Sequence, residues 1–399
     1  MKQQQGKRTF LITGGTGFIG SHIAVRLLSQ GHFLLILARS QKQLSATERF
    51  FRLLDWFGVE KHQRSRIQVL EGQLDHPTLG LNAGEYISVL DRVDETIHCA
   101  SDTSFSVLKR EEVEKTNVEG LKNLLDLVVR SRCRSFHLIS TAYVAGAVNG
   151  LCKEDYVPTE TFHNVYEETK ARGEQIAMAR CLEKGIKLGV YRPSIVCGDA
   201  NTGRTLRFNA LYYPVRTMHF FQKIYTRDIL EQGGSKARSM GIHLDQAGTL
   251  HLPVRIESSE SGGINLIPVN HFVESFISLL EDAPEGGVFH IVNPRNTEIS
   301  HLIDYTQRFF RLEGIRIAAS EEFRITSRNA LEVLFENHVR AYSPYMKDTR
   351  VFENHRTENI LSQRNIVCPE FNYDLFATCM QYALDVDWGR LLEPEITSS

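Results

Sequence analysis

The chain has 399 residues, 42% hydrophobic and 24% charged, ordinary proportions for a globular protein and too apolar for a disordered one. Lysine plus arginine number 46 against 48 aspartate plus glutamate, and this near-balance argues against a nucleic-acid binder that relies on a strong global positive field. The seven cysteines (Cys99, Cys133, Cys152, Cys181, Cys197, Cys368, Cys379) are odd in number and never spaced CxxC, which supports neither a paired-Cys zinc site nor a disulfide framework and fits a reducing cytoplasm. The first residues, MKQQQGKR, lead straight into a short apolar run without the features of a secretory signal. No stretch approaches the uninterrupted apolar length of a transmembrane helix, so a cytoplasmic protein is expected.

Short β-rich apolar runs predict strands at Thr9–Thr13, Phe33–Ala38, Ile67–Leu70, Thr96–Cys99, Phe136–Ile139 and Leu188–Tyr191. Helical patterns fall between them, notably Ile19–Gln30 and Glu111–Arg130. The second keeps Val118, Leu121, Leu124, Leu125 and Val128 on one face. This alternation predicts βαβ units in an α/β fold, a Rossmann-like doubly wound parallel sheet. It breaks near Asp199. Beyond that point the pattern gives a helix at Phe272–Leu280, a strand at Gly287–Val292, and helical segments near His301–Phe310 and Arg328–Val339. The expected organisation is a dinucleotide-binding domain over 1–200, with 265–293 returning to its sheet. A smaller, mixed but mainly helical substrate-binding cap follows from 201–264 and 294–399.

Directly after the first strand comes Thr13-Gly14-Gly15-Thr16-Gly17-Phe18-Ile19-Gly20, opening into a helix. Gly14 permits a tight turn, Gly17 lets the backbone approach a pyrophosphate, and Gly20 allows close helix–strand packing. The helix start then offers free N–H groups to phosphate. A dinucleotide fold selective for NAD carries a carboxylate about 20 residues beyond these glycines. No Asp or Glu occurs between Ile36 and Thr47; the second strand ends instead in Arg39 and Ser40, with Lys42 close by. A guanidinium and a hydroxyl suit a 2′-phosphate, so NADP(H) is the expected cofactor.

Tyr166 and Lys170 in YEETK sit one helical turn apart, where an ammonium beside a phenol would lower its pKa. Twenty-five residues earlier, HLISTAYVAG ends a strand in hydroxyls, at the edge where open α/β sheets bind ligands. TGGTGFIG (13–20), IHCASDTSF (97–105), TNVEGLKNLL (116–125), HLISTAYVAG (137–146), YEETK (166–170) and YRPSIVCGD (191–199) together resemble the extended short-chain dehydrogenase/reductase superfamily over roughly residues 9–200. Within it, the stretch Glu71–Leu81 with its Leu79-Gly80-Leu81, the STAYV of 140–144, Asn265–Asn270, and the tail around Pro344-Tyr345, Phe352–Asn354 and Trp388-Gly389 are similar to the thioester reductase and fatty acyl-CoA reductase branch.

The resemblance implies a catalytic Thr141, Tyr166 and Lys170, with Asn117 as the helix asparagine of a proton relay. It also implies cofactor contacts from Ala100 and Ser101 after the fourth strand, and from Pro193 and Ile195 on the nicotinamide side. Gln73 and Leu74 fall in the turn facing the adenine, with Gln73 standing where that family usually has an aspartate. The chain offers no upstream room for an adenylation or carrier domain, so an activated acyl group is expected from a carrier protein or coenzyme A.

Between Arg204 and Arg238 lie seven basic residues (Arg204, Arg207, Arg216, Lys223, Arg227, Lys236, Arg238) and two acidic ones (Asp228, Glu231), interleaved with Phe208, Tyr212, Tyr213, Phe220, Phe221 and Tyr225. Either this is a cap helix with a solvated basic face, or it docks an acidic carrier protein or coenzyme A phosphates, with the aromatics lining an acyl channel. A peripheral membrane contact is a third reading. The fifteen histidines show no HExxH pattern, and no metal is expected. The leading expectation is an NADPH-dependent reductase of an acyl thioester to aldehyde, with further reduction to alcohol open. The alternatives are a sugar-nucleotide epimerase/reductase, a hydroxysteroid-type alcohol dehydrogenase, and a non-catalytic NADP-binding scaffold.

Overall fold

The computed structural model describes residues 6–41, 43–156, 159–258 and 262–392. Its apolar runs form a parallel sheet of seven strands: β1 (Thr9–Thr13), β2 (Phe33–Ala38), β3 (Ile67–Glu71), β4 (Glu95–His98), β5 (Ser135–Ile139), β6 (Lys187–Pro193) and β7 (Gly287–Ile291). Their order is β7-β6-β5-β4-β1-β2-β3, with every neighbouring pair parallel. All seven lie within two residues of the expected runs. Helices cover both faces, which is why the strands read as continuous apolar runs rather than as alternating ones. One face packs the helix Phe18–Ser29 and the helix Val269–Asp282, burying Ile23, Leu27, Phe272 and Phe276. The other packs Leu121, Leu124 and Leu125 with Ala177 and Cys181 of the helix Val165–Lys184. The chain passes from β3 across β1 to β4, so the strand order reverses beside β1. A crevice at the carboxyl ends of β1 and β4 follows from that reversal.

The single helix expected over Glu111–Arg130 is interrupted. Arg110–Glu114 is α-helical, Lys115–Glu119 forms a π-helical turn, and Gly120–Val128 resumes the α-helix. Such a turn inserts one residue into the helical ladder, and such insertions are common at functional sites. Here the turn carries Asn117.

Past Pro193 the cap contains more strand than its composition suggested. Leu250–Glu257 pairs in parallel with Leu312–Ala318 and antiparallel with His243–Leu244. The signal was present, since Leu250, Leu252, Val254 and Ile256 alternate as the buried positions of the strand. Pro253 obscured it: proline cannot donate to the ladder, and the register shifts between His251 and Val254. The main sheet also receives the chain late. Helix His355–Leu361 leads Leu361 and Cys368 into the same core as Phe272 and Phe276.

A buried polar network ties these layers together behind the crevice. Arg192 of β6 donates from Nε and Nη2 to Glu174 (2.9 and 2.6 Å), and from Nη1 to Asp155 O (2.9 Å). Both side chains of the ion pair are nearly inaccessible, at 7% and 4% exposure. Removing one partner strands the other charge in a low dielectric. Arg192→Met is therefore expected to destabilise the fold by about 3–5 kcal/mol, with much of the loss recovered when Glu174→Met is added, as read from urea denaturation.

Candidate active site

The crevice begins where β1 ends. The chain turns through Gly14–Gly17 into the helix Phe18–Ser29, closed by Gly17 N donating to Gly14 O (2.9 Å). Gly14 has φ +71°, and a Cβ there would stand 2.5 Å from Ala100 N; a Cβ on Gly20 would stand 2.2 Å from Gly14 O. Backbone therefore meets backbone at the strand reversal. No side chain caps the helix start and no acidic residue lies in its first turn, so its N–H groups and positive dipole end suit a phosphate. The turn fits the pyrophosphate of a dinucleotide.

From this turn a cleft of about 1660 Å³ runs past the ends of β4, β5 and β6 into the cap. Gly14, Thr16, Gly17, Phe18, Ile19, Gly20, Arg39, Gln73, Leu74, Ala100, Ser101, Thr141, Tyr166, Lys170, Pro193 and Ile195 all line it. Ser40 is exposed at the end of β2 but does not line the cleft, and Lys42 lies outside the described residues. The backbone of Gln73 is clasped by the following loop, through its N donating to Leu79 O (2.8 Å). Leu79 takes φ +57° there, and its side chain is buried. The Gln73 residue itself is exposed at the cleft.

Sequence reasoning missed Arg49. It lies on the helix Ala46–Trp56, is only 3% exposed, lines the cleft, and donates from Nη1 to Arg39 O (2.7 Å). Burial and the neighbouring Arg39 charge hold its pKa below the usual arginine range. The available signal was its place in the buried stripe Ala46, Phe50, Leu53, where an arginine is costly without a purpose.

Thr141, at the end of β5, donates to Pro193 O (3.5 Å) and accepts from Tyr143 N (3.3 Å). Its hydroxyl also acts on the Tyr166 phenol, opposing a rise in its pKa. Lys170 donates to Ile139 O (2.5 Å), which turns the ammonium toward the end of β5. The lysine was expected to depress the tyrosine pKa, and the structure differs. Burial pushes Tyr166 up to about 12, against the opposing effect of Thr141. Burial also lowers Lys170 to about 8, partly countered by Glu174 and Cys99. Desolvation is the largest cause for both groups, and the Lys170 ammonium is directed at a backbone carbonyl.

Asn117 does not reach the cleft. Its Oδ1 accepts from Asp102 N (2.7 Å) and Ser101 Oγ (3.1 Å), and its Nδ2 donates to Asp102 O (2.9 Å) and Thr169 Oγ1 (3.0 Å). The π-helical turn thus pins the loop after β4 to the helix bearing Tyr166. The cap grips that helix from the other side. Tyr345 Oη donates to Glu167 (2.6 Å) and accepts from Asn164 Nδ2 (2.7 Å), while Phe105 packs near the rings of Tyr166, Tyr342 and Tyr345. Beyond Tyr166 the cleft continues between Met218, Ile256, Ile303, Ile315 and Phe335. Among the described residues, none of the six aromatics between Phe208 and Tyr225 lines it; Phe221 and Tyr225 lie in the cap core.

A glycine turn under a strand reversal, with Thr141, Tyr166 and Lys170 at the carboxyl ends of the neighbouring strands, is the architecture of an extended short-chain dehydrogenase/reductase fold. The chain belongs to the NAD-binding family described as Male sterility protein, which matches residues 12–275. It is similar to a linear gramicidin synthase of Brevibacillus parabrevis, 24% identical over 387 residues and 93% of this chain, although it spans only 7% of that protein's length. Its fold matches the terminal R domain from the myxalamid PKS-NRPS biosynthetic pathway, with a TM-score of 0.76 at 19% identity, covering 96% of this chain and 92% of that one. It also matches a thiolation-reductase di-domain from an archaeal non-ribosomal peptide synthetase (TM-score 0.68, 16% identity, 96% and 76% covered). Among the described residues no helix is long and apolar enough to cross a membrane.

The lowered Lys170 pKa has a measurable consequence. The lysine loses its charge as pH rises through about 8, so affinity for a nicotinamide cofactor is expected to fall across that range. Lys170→Arg keeps its charge and should show no such alkaline fall. Cofactor fluorescence titrations at several pH values check both.

Proposed function

We propose that the chain is an NADPH-dependent reductase of acyl thioesters, releasing an aldehyde. The observation that carries this reading is the placement of Thr141, Tyr166 and Lys170 along one cleft that runs from the glycine turn into the cap. Bound NADPH would supply hydride to the carbonyl carbon of the substrate. Thr141 and Tyr166 hydrogen-bond the carbonyl oxygen and stabilise the charge that develops on it, in a cleft whose low dielectric strengthens those bonds. The raised pKa of Tyr166 suits this direction of reaction, because the phenol stays protonated at neutral pH and is ready to donate. Lys170 holds the ribose side of the cofactor. Once oxygen is protonated by Tyr166, the hemithioacetal collapses as its hydroxyl returns that proton to the Tyr166 phenolate and the C–S bond breaks, expelling the thiolate and leaving the aldehyde; a second hydride from a second NADPH in the same site would give the alcohol. Met218, Ile256, Ile303, Ile315 and Phe335 beyond Tyr166 offer an apolar surface to an acyl chain.

Arg39, exposed at the adenosine end with Arg49 beneath it, is the residue assigned to the 2′-phosphate. Arg39→Ala should weaken NADPH binding by about 1.5–3 kcal/mol and leave NADH nearly unchanged, the range for a hydrogen bond to a charged group. Titrating both cofactors decides it, because equal losses reject the assignment. Tyr166→Phe should lower kcat for an acyl-pantetheine substrate by about 100- to 10,000-fold while the NADPH dissociation constant stays put, as expected for a proton donor to substrate. Retained turnover removes Tyr166 from the mechanism.

A further inference from the structure

The helix Tyr212–Glu231 forms one wall of the cleft, and its two sides differ in character. The inner side is continuously apolar: Val215 and Met218 line the cleft, and Phe221 and Tyr225 enter the cap core. The outer side carries Phe220 (52% exposed), Ile224 (40%) and Leu230 (67%) on one stripe with Arg216, Lys223 and Arg227, at the three- and four-residue spacing of a helix surface. The short helix Ser235–Ser239 adds the exposed Lys236 and Arg238. The two acidic residues of the segment do little to cancel this charge. Asp228 is buried and accepts from Ala237 N (2.9 Å), and Glu231 pairs with Arg227 alone (3.1 Å). Of the other basic residues, Arg204 stacks on Trp56 and Arg207 lines the cleft, so neither belongs to the patch.

We propose that this outer stripe docks the acidic, partly apolar helix surface of an acyl-loaded carrier protein. The proposal rests on the thioester reading above. Charge complementarity names the sign of the partner, and the exposed apolar side chains set among cations match a protein surface that is itself mixed. A helix that lies on a membrane buries one continuous apolar face, and the continuous apolar face of this helix is already turned inward.

The test compares octanoyl-loaded acyl carrier protein with octanoyl-pantetheine, which presents the same thioester without protein or phosphate. In Lys223→Glu/Arg227→Glu, KM for the carrier substrate is expected to rise about tenfold, with octanoyl-pantetheine within about twofold of wild type. Phe220→Ser, an exposed single change, should act in the same direction and serves if the double variant does not fold. Unchanged carrier kinetics overturn the proposal, and so do parallel losses on both substrates, which mean a structural role. If wild type reduces neither thioester, the catalytic reading fails on its own; docking is then judged by fluorescence anisotropy of the labelled octanoyl carrier. A tenfold weaker dissociation constant in the variant upholds it, and no binding or no change overturns it. Sedimentation with mixed phosphatidylcholine and phosphatidylglycerol vesicles covers the rival: vesicle binding lost in the variant, with carrier binding unchanged, assigns the stripe to membrane and overturns the proposal.

Discussion

The contact on which the site depends is the one between the turn at Gly14 and the loop at Ala100, made without a side chain between them. A Cβ at Gly14 would overlap the Ala100 backbone, and one at Gly20 would overlap Gly14 O. Because these glycines let the ends of β1 and β4 close on each other, the helix Phe18–Ser29 starts at the sheet reversal with its first N–H groups facing the cleft. The loop after β4 is fixed in turn by Asn117, which reaches it only because the helix around it is wound with a π-turn. Asn117 also bonds Thr169, so the geometry of the glycine turn is passed to the helix carrying Tyr166 and Lys170.

Burial governs the chemistry of that pair more than proximity does. Tyr166 and Lys170 are both shifted toward their neutral forms, as expected of charges held away from water. Behind them the Arg192–Glu174 pair stiffens the junction of β6 with the helix Val165–Lys184, and Glu174 supports the Lys170 charge.

The cap completes the cleft by gripping the helix Val165–Lys184. Tyr345 reaches Glu167 in the first turn of that helix, and Arg350 reaches Gly146 O just after the catalytic strand (2.7 Å). Both are buried, so the aliphatic chamber and the hydroxyl pair are held at a fixed relation.

The parallel sheet was legible in the amino-acid sequence because strands buried on both faces leave unbroken apolar runs. The phosphate turn was legible too, because only glycine tolerates that backbone approach. Tyr166 and Lys170 sit one turn apart on a helix and Thr141 just past a strand, and the resemblance to the extended short-chain dehydrogenase/reductases marked all three in advance. The cap strands at 250–257 and 312–318 escaped notice because Pro253 breaks the alternation and their pairing partners are distant in the chain. Phe105 and Tyr345 fell within stretches singled out by resemblance, but that they meet Tyr166 and its helix from separate segments was decided by the tertiary structure. The direction of the tyrosine shift, likewise, came from the folded molecule alone. A pKa depends on desolvation by everything packed around the group, whereas spacing along one helix reports a single neighbour.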